Sequence, residues 1–250
     1  MLTVLGIVLA YFLGSIPTGY IIAKANGVDI QKIGSGNIGA TNVLRSVGRG
    51  AAAIVIITDP LKGMVAVWLS MFAGLGEWGI LLCGLAAVMG NNYNIFLGFK
   101  GGKGIATSIG VFIVLAPLST TLGIIMGVFT IVLCRYVSMG SMIGMSTTPL
   151  FLALHRPEFT GPKMVLSVTL LLLSMWRHRT NLVRLAQGVE RRIGERAATT
   201  PSAATSSAAA VTLPAANTSD TADASEDTKP ADVTEPADVS EPADVAEASE

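Results

Sequence analysis

Apolar residues in the first 196 positions run in long, nearly uncharged blocks. They show neither the alternation of a half-buried strand nor the one-sided stripe of a soluble helix. A helix needs about 20 apolar residues to cross a bilayer core, or about 17 in a thin or well-packed case. By that measure the chain predicts spans near 3–23, 52–75, 78–96, 104–118, 119–134, 142–155 and 163–177. Several are short, and those between 104 and 155 are candidates for tilted, broken or re-entrant geometry. The stretch Thr3–Ile22 lacks a basic leader and a convincing small-residue cleavage site after it, so it reads as a retained span, with a cleaved signal peptide the minor alternative.

The distribution of basic residues decides whether 104–134 is one long helix or two. With a break around Ala116-Pro117-Leu118-Ser119, the loops 24–51 (Lys24, Lys32, Arg45, Arg49), 97–103 (Lys100, Lys103) and 135–141 (Arg135) all share one side with the segment from Arg177 onward. Without it they divide between two sides, against the positive-inside rule. The expected fold is therefore all-α, a polytopic protein of about seven transmembrane helices. Its amino terminus is expected outside and its carboxyl terminus in the cytoplasm, placing the basic loops on the cytoplasmic face of the inner membrane.

The zero net charge of the 250-residue chain is a cancellation. Residues 1–196 hold 16 basic and six acidic side chains, a net of +10, whereas 197–250 hold 11 acids and only Lys229, a net of −10. The second segment is built from Ala, Thr, Ser, Pro, Asp and Glu and ends in three tandem hexapeptides beginning at Pro230, Pro236 and Pro242. Such a composition buries too little apolar surface to offset its ordering entropy, so 197–250 reads as a disordered acidic tail behind a membrane domain at 1–196. The two cysteines, Cys83 and Cys134, both lie in apolar runs, which excludes a disulfide scaffold and a Cys-based zinc site.

The membrane reading leaves the polar loops unexplained. Gly34-Ser-Gly-Asn-Ile-Gly-Ala-Thr-Asn-Val-Leu-Arg45 sets Ser35, Gly36, Asn37, Thr41 and Asn42 ahead of an arginine. Glycines let successive backbone N–H groups converge on an anion, and a helix starting near Ala40 would put Thr41 and Arg45 on one face. Phe99-Lys-Gly-Gly-Lys103-Gly104 leads into an apolar run in the same manner. It is not a nucleotide P-loop, because the positions of the first glycine and the final hydroxyl are Leu97 and Gly104. In Thr58-Asp59-Pro60-Leu61-Lys62-Gly63, Asp59 reads as an N-cap with Pro60 at the first helical position and Lys62 as its partner at the membrane boundary. Arg135-Tyr-Val-Ser-Met-Gly-Ser141 offers a hydroxyl beside a cation, and His178 and Asn181 share a helix face after the last span.

Together these blocks resemble the bacterial membrane-integral acyl-phosphate:glycerol-3-phosphate acyltransferase family, PlsY, in order and spacing through residue 196. The resemblance implies a seven-helix enzyme that moves a fatty acyl group from acyl phosphate to the 1-hydroxyl of glycerol 3-phosphate, giving lysophosphatidic acid and phosphate. It implies no metal, and no cofactor or nucleic-acid partner is expected. On this likeness Ser35, Thr41, Arg45, Lys103 and Ser141 form a phosphate clamp, with Gly36 and Asn37 in its loop. Asn42, His178 and Asn181 hold glycerol 3-phosphate, and Asp59 and Lys62 brace the start of a helix. The hydroxyl proton passes either to a substrate phosphate or to His178 as general base. The chain departs from the family at Gly90-Asn91-Asn92-Tyr-Asn94, where Gly-His is usual, which admits a divergent paralogue with an altered donor or low activity. An organophosphate transporter and a scaffold protein recruiting a basic partner through its tail are the competing classes.

Overall fold

A computed structural model describes residues 1–195; the segment 197–250, read above as a disordered tail, lies outside the described residues. All regular structure among the described residues is helical: α1 (Leu2–Gly14), α2 (Thr18–Ala25), α3 (Ala40–Ser46), α4 (Arg49–Phe72), α5 (Glu77–Asn92), α6 (Ile105–Leu115), α7 (Pro117–Cys134), α8 (Val137–Leu154), α9 (Gly161–Arg177) and α10 (Arg179–Ala186). Five stretches are long and apolar enough to cross a membrane: Leu2–Ala25 (α1 and α2 together), α4, α7, α8 and Glu77–Leu97, which is α5 with the short 3-10 turn after it. The apolar α6, 11 residues long, and the 17-residue α9 complete the bundle. Large apolar side chains face outward, among them Leu5 and Leu9 on α1 and Phe129, Val132 and Leu133 on α7. That distribution suits a hydrocarbon solvent and makes the chain a multi-pass membrane protein.

Close backbone approach holds the bundle together, since lipid supplies no hydrophobic drive between helices. A β-carbon at Gly63 of α4 would strike the Thr107 carbonyl of α6, and one at Gly110 of α6 would strike the Pro60 carbonyl of α4. Gly14 and Gly90 bring α1 and α5 together in the same reciprocal manner, against the carbonyls of Ala87 and Tyr11. Around these seams a core of Val67, Val88, Val111, Phe112, Leu152 and Leu170 is fully enclosed.

The break at Ala116-Pro117 is present, and α7 starts with Pro117 at its first turn, where the missing N–H costs nothing. Glu158 caps this start, accepting from the amides of Leu118 and Ser119 and from the Ser119 hydroxyl. The first span is interrupted at Ser15–Pro17. There Ser15 Oγ donates to the carbonyls of Tyr11 and Gly90, and the Ser15 carbonyl accepts from Asn94 Nδ2 at 2.6 Å.

One expectation is corrected. Asp59 does not cap a helix start: α4 begins ten residues earlier at Arg49 and carries Pro60 in its interior. A proline there deletes one intrahelical bond but not the helix, because the flanking turns and the packed α6 hold it. Asp59 and Lys62 are therefore a buried mid-helix pair, 8% and 5% exposed, with Nζ donating to Oδ1 at 2.6 Å. Thr18 donates to the same oxygen at 2.9 Å, tying α2 to α4.

Candidate active site

The loop 26–39 folds back on Asn42. Its Oδ1 accepts from the Ser35 amide, and its Nδ2 donates to the carbonyls of Ile30, Ile33 and Asn37. Gly34 and Gly36 adopt left-handed backbone with φ +67° at each, a region costly for residues with a β-carbon. Asn37 accepts from the Gly39 amide at 2.8 Å and closes the turn into α3. Helix α3 starts at Ala40, so Thr41 and Arg45 lie one turn apart on it.

The second glycine loop is shaped by α5 and α9. The Gly102 amide donates to the Asn91 carbonyl at 2.8 Å. Gly101 and Gly102 sit so close to Asn91 that a β-carbon on either would overlap it. Arg177 at the end of α9 reaches across, its Nη donating to the carbonyls of Gly101 and Gly102. The Asn91 backbone carbonyl thus braces this loop, a role that any residue at that position can fill. Gly104, at φ +76°, turns the chain into α6, and Lys103 beside it donates from Nζ to Asn181 Oδ1 at 2.5 Å.

These pieces enclose a pocket of about 480 Å³ whose wall includes Ser35, Asn37, Thr41, Asn42, Arg45, Asp59, Asn91, Lys103, Ser141, His178 and Asn181. Of the residues singled out from sequence, Gly36 and Lys62 are not part of that wall. Asn42 reaches it but spends both amide atoms on the loop, so it shapes the site rather than offering a free donor. Ser141 lies in the first turns of α8, not in the loop expected before it.

His178 is buried between α9 and α10, with Nδ1 2.9 Å from the Ser174 carbonyl. That contact calls for a proton on Nδ1 and leaves Nε2 as an acceptor. Burial, and then the neighbouring Lys103 charge, push the imidazole down to about 4, so it is neutral at physiological pH. Burial likewise pushes Lys103 down to about 8, although the Glu190 carboxylate favours its charged form.

Sequence reasoning passes over Glu190 and Ser138 and reads Arg184 only as a positive-inside flanking residue. Glu190 accepts from Asn181 Nδ2 (2.6 Å), Ser138 Oγ (2.8 Å) and Arg184 Nε (2.7 Å). Burial works against its charge, but these three donors outweigh it and hold the carboxyl below its usual range. The available signal was that Glu190 is the one acid between Arg177 and Arg192. A second, smaller cavity of about 110 Å³ lies between α6, α7 and α8, lined mainly by apolar groups such as Phe112, Ile131 and Met145. It shares Ile105, Ile109, Ile124 and Ser141 with the polar pocket.

Fold and site together define a multi-pass membrane enzyme with a cationic, donor-rich pocket beside an apolar chamber. The chain belongs to the glycerol-3-phosphate acyltransferase family, whose pattern matches residues 4–188. A glycerol-3-phosphate acyltransferase of Thermus thermophilus is 48% identical over 192 residues, which is 76% of this chain and 95% of the relative. That of Geobacter sulfurreducens is 44% identical over 185 residues, 73% of this chain and 93% of the relative. Among solved structures, PlsY, an integral membrane glycerol 3-phosphate acyltransferase, superposes in its glycerol 3-phosphate form with a TM-score of 0.73 at 36% identity, covering 77% of this chain and 96% of the other. Its lysophosphatidic acid form matches at a TM-score of 0.71.

Proposed function

We propose that the enzyme transfers a fatty acyl group from acyl phosphate to the 1-hydroxyl of glycerol 3-phosphate, releasing lysophosphatidic acid and inorganic phosphate. The observation that carries this reading is the junction of the two cavities. An anion-binding pocket and an apolar chamber that share four wall residues suit a molecule with a phosphate head and a hydrocarbon tail. The related structure in its glycerol 3-phosphate and lysophosphatidic acid forms supports the acceptor and product.

In this reading Arg45, Lys103, Ser35, Thr41 and Ser141 hold the phosphate of the donor. His178 and Asn181 hold glycerol 3-phosphate. The acceptor hydroxyl adds to the acyl carbonyl carbon, forming the ester C–O bond. The bond from that carbon to the phosphate oxygen then breaks, and phosphate departs with the electron pair. Phosphate is already a competent leaving group, so the site needs positioning and charge stabilisation rather than a covalent nucleophile. An imidazole held near 4 is a poor base, which favours delivery of the hydroxyl proton to a substrate phosphate. His178 Nε2 then accepts the hydroxyl hydrogen bond and orients it.

Arg45 on α3, Lys103 before α6, Arg184 on α10 and Arg191 after it line the pocket, and the positive-inside rule supports placing that end on the cytoplasmic face of the inner membrane. The test is an assay of purified protein with glycerol 3-phosphate and, separately, acyl phosphate or acyl-CoA, following ester formation and phosphate release. The reading expects transfer from acyl phosphate alone. Transfer only from acyl-CoA, or from neither donor, overturns it.

A further inference from the structure

The return segment after α10 has no task in the reaction just described, yet it forms part of the pocket wall. Helix α10 ends at Ala186, and Gly188, at φ +70°, reverses the chain. The Val189 amide donates to the Arg184 carbonyl and the Gly188 amide to the Leu185 carbonyl, the paired bonds of a Schellman turn. The chain then passes across α3 and α8: Arg45 donates from one Nη to the carbonyls of Arg191 and Arg192, and the Ile193 amide donates to the Arg135 carbonyl. Glu190 is carried into the pocket between these anchors.

We propose that Glu190 is a positioning residue for acyl transfer: its carboxylate fixes the Asn181 carboxamide and, through Asn181, the Lys103 ammonium of the phosphate clamp. The inference rests on the acyl-transfer reading of the site.

Three features carry it. The first is directional. A carboxamide can present either end to a neighbour, but an ionised carboxylate only accepts, so Glu190 selects Nδ2 of Asn181 and turns Oδ1 toward Lys103. Lys103 has no other side-chain acceptor among the described residues, so the orientation of Asn181 aims the ammonium. The second is that an acid beside a phosphate site repels the substrate unless it is neutralised. Here Arg184 pairs with Oε2 at 2.7 Å, with Ser138 and Asn181 both on Oε1, so the acid is held by partners on both α8 and α10. The third is the charge balance around Lys103. Arg45 from α3, Arg177 from α9 and Arg184 from α10 oppose its charge, His178 is neutral, and among the described charged groups Glu190 alone favours the ammonium. Without that carboxylate, burial and three guanidinium groups all act to discharge the lysine.

The experiment compares full-length wild type, Glu190→Gln and Glu190→Asp by kcat/KM for glycerol 3-phosphate from pH 6 to 10, with acyl phosphate as donor. Glu190→Gln is expected to lower kcat/KM about tenfold at neutral pH. It should also move the alkaline fall-off about one pH unit lower, the effect of losing one opposing charge near the lysine. Glu190→Asp keeps the charge but withdraws it by one methylene, so the rate falls while the fall-off stays in place. In a Lys103→Arg background, whose guanidinium does not titrate in this range, the alkaline fall-off should be absent both with and without Glu190→Gln. A Glu190→Gln enzyme with wild-type rate, or one merely slower with an unmoved fall-off, overturns the proposal. Should Glu190→Gln not fold, an unimpaired Glu190→Asp enzyme overturns it equally. Absence of transfer in the wild type instead defeats the acyl-transfer reading itself.

Discussion

Lys103 and Asn181 meet across 78 positions of sequence, the ammonium of the loop before α6 donating to the carboxamide in the first turn of α10. This contact joins two sides of the polar pocket. Lys103→Ala should reduce kcat/KM at least about a hundredfold, the usual loss for a donor aimed at developing or bound negative charge. Because the folded-state value of Lys103 is lowered to about 8, the ammonium is present below pH 8 and is lost above it. Wild-type kcat/KM should therefore decline from about pH 8 upward. Lys103→Arg should abolish that decline while retaining part of the rate, and a pH series on both proteins checks it.

His178 offers a contrasting expectation. Its imidazole is neutral down to about pH 4, so it contributes no titration between pH 6 and 8. His178→Gln keeps an acceptor near the Nε2 position and should retain measurable turnover with an unchanged profile. His178→Ala, which removes the acceptor, should be slower. Loss of all activity in His178→Gln, with the protein still folded, would favour the imidazole as general base.

The lowered His178 value has a consequence for stability as well. The unfolded chain binds a proton near pH 6.5 and the folded chain only near 4, so folding is favoured above 6.5 and progressively weakened as the pH falls to 4. Thermal unfolding in detergent should show this acid sensitivity diminished in His178→Gln.

The buried Asp59–Lys62 pair gives a prediction at a different place. Asp59→Asn leaves an uncompensated ammonium inside the bundle and should destabilise the protein by about 3 kcal/mol. Adding Lys62→Met should restore most of the loss, since an apolar side chain of similar length requires no partner. A double-mutant cycle of melting temperatures measures the coupling.

Gly110→Ala presses a methyl group onto the Pro60 carbonyl and should cost about 1–3 kcal/mol by forcing α4 and α6 apart. Gly161→Ala, at a position with open space, should leave the melting temperature nearly unchanged.

Much of the architecture was legible because apolar blocks of bilayer length are a strong signal and because Pro117 marks a sharp helix start. The span expected at 52–75 lies within three residues of α4 (Arg49–Phe72), but the helix start read at Asp59-Pro60 was misplaced. Asp59-Pro60 carries the local signature of a helix start, but the Ala51–Ala53 turn upstream is itself strongly helical, and the packing of Gly110 on the Pro60 carbonyl settles the matter by a contact no local motif contains. The site divides in the same way. Arg45, Lys103, His178 and Asn181 stood out as polar groups in glycine loops or at a span end. Asn42 looked like a ligand because its inward hydrogen bonds depend on the folded loop. Glu190 passed unnoticed because its value arises only when the chain reverses at Gly188 and brings the acid back over α8.

The shared wall of Ile105, Ile109 and Ile124 also bears on kinetics. Under the proposed reaction one reactant reaches that wall from water and the other from the bilayer, so the two are supplied in different dimensions. The rate should then follow the donor's surface density, its mole fraction in the membrane, rather than its amount per volume. Diluting the bilayer with inert lipid should slow turnover even when the total quantities of enzyme, donor and glycerol 3-phosphate stay fixed.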